Sequence, residues 1–254
     1  MIVVVAVVVA VLLAFARRHR FTPVMRLLDQ WERLRPFVTS YVRASPGTFV
    51  YLAILSITTM VMVTSSNEVV SLLLEEHSTN LRELFSNPGR VLVLSPFWAP
   101  NYEFLVWAIL FALVLAPAER WLGTARWMSV FFTGHVLATL GVAWGLWLAI
   151  RHGYASRHLE SAIDVGVSYG FAAVAAVFSY RLPRHWRGAW IVMLIGITGV
   201  AFIVGRSFTD AGHLLAVVIG FGCYPWTRGA GPRARGTGPI WSAWSSPRDE
   251  PAVE

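Results

Sequence analysis

The sequence predicts an all-α polytopic membrane protein with about six transmembrane helices, and three observations carry the prediction. Of 254 residues, 56% are hydrophobic and only 14% charged, with a mean hydropathy of +0.58. A water-soluble domain carries roughly 25% charged residues, so most of this surface faces something other than water. The apolar residues also come in blocks, most of them long enough to cross hydrocarbon. Finally, the formal charge of +7 comes from 21 Arg and no Lys, and these Arg lie between the apolar blocks. Arginine in short connecting loops fits membrane orientation better than a nucleic-acid partner, which is not expected.

Residues 1–20 form an apolar N-terminal segment, whose first sixteen residues (MIVVVAVVVAVLLAFA) end at Arg17-Arg18-His19-Arg20. That run reaches roughly 24 Å, short of the ~30 Å hydrocarbon core. Its positive charge follows the apolar stretch, whereas in a cleaved signal peptide it precedes it. An additional anchor, or a wrongly chosen start site, fits better. Residues 21–46 carry Leu27, Leu28, Trp31, Leu34 and Phe37 at helical spacing, with Arg26, Arg33 and Arg35 between them. This is the pattern of an amphipathic juxtamembrane helix, or of a plain linker.

Within residues 47–224 the six expected spans are Gly47–Val63, Phe104–Ala118, Trp127–Ile150, Val165–Tyr180, Gly188–Gly205 and Ala211–Tyr224. The fourth and sixth are short and hold polar residues. Residues 225–254 are rich in Gly, Pro, Arg, Ser and Trp and read as a disordered tail. If residues 17–46 face the cytoplasm, so do the loops at Arg120–Arg126 and Arg181–Arg187 and the tail. Sixteen of the 21 Arg then lie on that side. This asymmetry predicts a cytoplasmic C-terminus, and the expected setting is a bacterial plasma membrane.

No GxGxxG or P-loop motif is present, and the single Cys223 excludes an internal disulfide and a Cys-based metal site. His135, His213, Asp164 and Asp210 lack tight ligand spacing, so neither a metal nor another cofactor is expected. A transporter would call for inverted repeats and paired broken helices, which are not detectable. Ionisable and polar residues inside spans are costly, which makes each a functional candidate. Ser168 opens the fourth span and His213 the sixth, both near the same side of the membrane. A serine attacks a carbonyl only when a base such as His takes its proton. Two short helices also leave room for water above them, which hydrolysis requires. The same residues fit simple packing. Gly166-xxx-Gly170 and Gly212-xxx-Ala216-xxx-Gly220 are small-residue stripes that let helices approach, with Ser168 and His213 bonding across the seam. Asp210, three residues before His213, either orients the imidazole or caps the helix, and Asp164 has the same two readings. Glu119, at a helix end, reads as structural, and His135 as a core histidine bonded to a neighbouring helix.

These motifs resemble those of the rhomboid superfamily of intramembrane serine proteases, over about residues 47–224. In that family Gly-x-Ser-Gly opens the fourth span, and His-x-x-Gly-x-x-x-Gly lies on the sixth. Gly166-Val-Ser168 and His213-Leu-Leu-Ala216-Val-Val-Ile-Gly220 occupy those places. Glu119-Arg-Trp-Leu-Gly123 is similar to the family's Glu-x-x-x-Gly, and Asn87-Pro-Gly-Arg90 to its Trp-Arg element with Gly89 in place of Trp. The resemblance implies a six-helix core, a Ser168 nucleophile and a His213 base acting on a transmembrane protein substrate. It equally allows a non-catalytic relative that binds transmembrane clients.

Two departures bear on that choice. Counting back from Glu119, the family's oxyanion-donating His and Asn fall at Glu103 and Trp107. A carboxylate there repels a developing negative charge. Tyr169 replaces the Gly after the nucleophile, and Ala172 stands where the family often places a ring under the His, a role open to Tyr169.

Overall fold

The computed structural model describes residues 22–231; the N-terminal apolar segment and most of the expected tail lie outside the described residues. The chain divides into two units, and the only described helix of the first is α1 (Thr22–Ala44). Its exposed side chains include Trp31, Leu34, Phe37 and Val38.

The second unit begins with α2 (Pro46–Thr64), whose buried Thr48, Tyr51, Leu55 and Met62 recur at helical spacing and mark its inward stripe. The long first loop is mostly helical, made of α3 (Asn67–Glu76), α4 (Leu81–Ser86) and α5 (Pro88–Leu94). Local capping explains two of these starts. The Ser66 side chain accepts from Val69 N–H, and Asn80 Oδ1 accepts from Glu83 N–H at 2.8 Å.

Then come α6 (Phe104–Leu122) and α7 (Thr124–Arg151). The middle of α6, Phe111–Leu115, widens into a π turn just ahead of Pro117. Proline has no N–H to close the preceding turn, which relaxes the ladder there. Gly123, at φ 82°, ends α6 in a conformation that a Cβ disfavours. The last helices are α8 (Ser168–Phe178), α9 (Arg184–Gly205) and α10 (Phe208–Gly222).

All six expected spans appear as helices. Four of the described helices (α2, α6, α7 and α9) are long and apolar enough to cross a membrane. The 11-residue α8 and 15-residue α10 reach only about 16 and 22 Å, short of the ~30 Å hydrocarbon core. On α8, Ala173 through Val177 are all fully buried. It is apolar on every side because neighbours enclose it: α7 and α10 pack on it and on each other. The opposite holds for α9, where Val192, Ile197, Val200, Ile203 and Val204 are exposed. So much unpartnered apolar surface on one helix is a lipid-facing wall. The chain is an integral membrane protein that contacts the bilayer through these helices.

Candidate functional site

Glu119 shows how the bundle is tied together. Its buried carboxylate accepts from Gly47 N–H at 2.8 Å, from Thr48 N–H and Oγ1 at 2.7 Å each, and from Thr124 Oγ1 at 2.7 Å. Ser45 makes no side-chain cap on α2, so the carboxylate of a distant helix supplies the missing acceptor.

The segment entering α8 holds most of the candidate residues. Gly166 has φ 127°, its N–H donates to Ser95 O at 3.2 Å, and a Cβ there would lie 3.6 Å from the Trp98 carbonyl. The chain turns at Gly166 before the helix begins. The Gly166–Gly170 pair is therefore not a helix-packing stripe: Gly166 serves the turn, and only Gly170 serves a seam. A Cβ on Gly170 would come within 2.5 Å of the Phe131 ring on α7.

Ser168 is the first residue of α8 and is partly exposed. Its hydroxyl makes no hydrogen bond among the described residues, to His213 or to any other group. Val167 supplies no side-chain cap, and the first backbone bond of this turn runs from Phe171 N–H to Val167 O at 2.9 Å. The N–H groups of Ser168, Tyr169 and Gly170 thus have no partner among the described residues. They point, as first-turn donors do, beyond the helix start.

Asp164 is buried and joins three parts of the fold. Its carboxylate accepts from Tyr169 Oη at 3.0 Å, Thr79 Oγ1 at 3.3 Å and Thr209 Oγ1 at 3.4 Å. Its N–H donates to Ser78 Oγ at 2.8 Å, and its carbonyl accepts from Thr79 N–H at 2.8 Å. Burial pushes the carboxyl above its ordinary range, while the Tyr169 and Thr79 hydrogen bonds and the His213 imidazole oppose the rise. Of the two roles open to Asp164, neither a helix cap nor a hydrogen bond to His213 is seen. It holds Tyr169 instead.

Tyr169 in turn packs its ring against His213, with centroids 5.1 Å apart and planes at 74°. A Cβ on Gly212 would fall 2.3 Å from that ring, so glycine is what admits it. Farther along α10, Gly220 lies so close to α8 that a Cβ would meet Ala173 O at 2.3 Å. The Gly212–Ala216–Gly220 stripe is the α8–α10 seam. Asp210 is not itself the N-cap but closes the capping box as the third residue of α10. Ser207 is the N-cap, its Oγ accepting from Asp210 N–H at 3.0 Å while Asp210 Oδ2 accepts from Ser207 N–H at 3.3 Å. No hydrogen bond joins Asp210 to His213.

His135 Nε2 lies 3.2 Å from Ser95 Oγ, while its Nδ1 and the nearby Thr139 hydroxyl are buried without a hydrogen-bond partner among the described residues. At the two positions counted as oxyanion donors, Trp107 Nε1–H donates to Glu103 Oε2 at 3.0 Å. The pair satisfies itself. Thr79, Ser78, Thr209 and Ser95 had no signal in the sequence, since the first two reach Asp164 from a loop more than eighty residues away. Among the described residues no group of three His, Cys, Asp or Glu is gathered as a metal site.

Among curated proteins and solved structures nothing matches the chain significantly. The family described as rhomboid-like protein matches residues 40–233, well over half of the chain and the whole of the helical domain just described. The chain belongs to the rhomboid-like protein family.

Proposed function

We propose that the chain is an intramembrane serine endopeptidase that cleaves transmembrane segments, with Ser168 as nucleophile and His213 as general base. The observation that carries the reading is the uncapped start of α8. Ser168 heads a helix whose first three N–H groups have no partner among the described residues, and His213 stands on the helix packed against it, its ring backed by Tyr169. As Ser168 Oγ attacks the scissile carbonyl, His213 takes its proton and later returns it to the leaving amine. The free N–H groups and the positive end of α8 receive the oxyanion, replacing the side-chain donors absent at Glu103 and Trp107. The Ser168–His213 hydrogen bond forms on substrate closure, since such bonds are commonly long in unliganded sites.

One observation favours a second reading. The Glu103–Trp107 pair fills the oxyanion positions with a carboxylate and its own donor. That suits a non-catalytic rhomboid-fold protein that captures transmembrane clients. Cleavage of a transmembrane reporter in cells separates the two. Ser168→Ala and His213→Ala should each abolish cleavage without lowering abundance, and Tyr169→Phe should reduce it by less. If wild type and Ser168→Ala leave the reporters equally intact and retain the same clients, the chain is a binder.

The Arg asymmetry supports six crossings with the C-terminus in the cytoplasm. The exposed Trp31, Leu34, Phe37 and Val38, interleaved with Arg33 and Arg35 and followed by Arg43, support placing α1 on the membrane surface.

A further inference from the structure

The end of α7 farthest from Gly123 carries a cleft that the protease reading does not use. Its floor comes from α4, which packs Leu81 and Leu84 onto Ala143, Leu146, Trp147 and Ile150. A 3-10 turn at Arg157–Ser161 lies beside α4 and closes the far side. The cleft is half open and holds about 580 Å³. One wall is apolar, made of Phe85, Trp147 and Ile150; the other presents Arg82, Arg157 and Glu160.

Three features of this cleft converge. First, it lies where a membrane-crossing helix leaves hydrocarbon. Trp144 and Trp147 stack at 5.2 Å there, and the Arg151 guanidinium sits 5.1 Å from the Trp147 ring centroid. Paired Trp and Arg at a span end are characteristic of the headgroup level. Second, neither Arg82 nor Arg157 has an ion-pair or hydrogen-bond partner for its guanidinium among the described residues, and Glu160 is equally unpaired. Two guanidiniums and one carboxylate leave one positive charge uncompensated. Third, Phe85 is 72% exposed beside them, an apolar ring with no protein cover.

We infer that this cleft binds one anionic glycerophospholipid of the adjoining leaflet. Its phosphodiester lies between Arg82 and Arg157, and its acyl chains run along Phe85, Ile150 and Trp147. Guanidinium forks match phosphate oxygens geometrically, and a monoanionic phosphodiester cancels the cleft's net charge. A zwitterionic lipid would leave that charge standing. Glu160 is then placed to accept a hydroxyl of a glycerol headgroup.

The test uses the full chain in detergent. Its melting temperature is followed as phosphatidylglycerol, phosphatidylethanolamine or inorganic phosphate is added. Phosphatidylglycerol should raise it saturably; the other two should not. The exposed pair Arg82→Gln/Arg157→Gln should leave the lipid-free melting temperature unchanged and weaken the apparent affinity by roughly 30-fold, about fivefold per arginine. Arg33→Gln/Arg35→Gln on α1 should leave the response intact, which separates the cleft from general attraction to basic helices. An equal response to phosphatidylethanolamine or free phosphate overturns the inference. So does a response that survives removal of both cleft arginines, or no response to phosphatidylglycerol.

Discussion

Glu119 is the residue on which the start of α2 depends. One buried carboxylate satisfies two backbone N–H groups and two hydroxyls from two other places in the chain. Glu119→Ala strands those donors away from water, and each unsatisfied buried group costs about 1–3 kcal/mol. The variant should lose about 3 kcal/mol or more, seen as a lower unfolding midpoint in detergent; an unchanged midpoint would contradict the capping role. The sequence marked Glu119 as structural because it sits at a helix end, but not what it holds, since Gly47 and Thr48 are more than seventy residues away. The same limit applies to Asp164. Its place before the fourth helix was legible, and so were the two local roles an aspartate plays there. Its actual partners, Thr79, Tyr169 and Thr209, come from a distant loop and two helices, and no local spacing encodes them. For Tyr169 the sequence left open whether its ring reaches His213; with Ala172 where the family often places a ring, it is Tyr169 that packs on the imidazole.

At the scale of elements, length and apolarity located all six helices to within a few residues, because each is long or lies between charged turns. The fourth was read three residues too early: Gly166 is apolar enough to extend the block, but its φ of 127° belongs to a turn. The short helices α3 to α5 between the first two spans carried no long apolar period to reveal them, since caps start α3 and α4 and α4 is held by packing on α7. The small-residue stripe on α10 was legible, and its consequence can be measured. In Gly220→Val the new Cβ meets the Ala173 carbonyl and Cα, both backbone atoms that cannot move aside. That variant should fail to accumulate or should melt far below wild type. Gly89→Ala is the matched control, because a Cβ there meets nothing within 4 Å. It should hold wild-type stability to within about 0.5 kcal/mol. Equal damage by both would deny that the α8–α10 seam needs its glycine.

For the whole molecule, the family match and the exposed apolar belt of α9 put the chain in a bilayer, and the orientation proposed from the distribution of Arg can be tested. Single cysteines at positions 86, 158 and 235, in a Cys223→Ser background, test that orientation with a membrane-impermeant thiol reagent. Positions 86 and 158 should label from outside intact cells, and position 235 only after lysis; labelling of 86 and 235 from one side rejects six crossings. The enclosed α8, the seam that admits Tyr169 and the unpaired N–H groups at Ser168 are one arrangement, and its chemical meaning rests on whether that serine is activated. The direct measurement is covalent labelling of the full-length protein in membranes by a mechanism-based serine-protease probe. Wild type should be labelled at Ser168, with the signal lost in Ser168→Ala and His213→Ala at equal abundance. Wild type labelled no more than Ser168→Ala would contradict the protease account and leave Ser168 and His213 as parts of a helix seam.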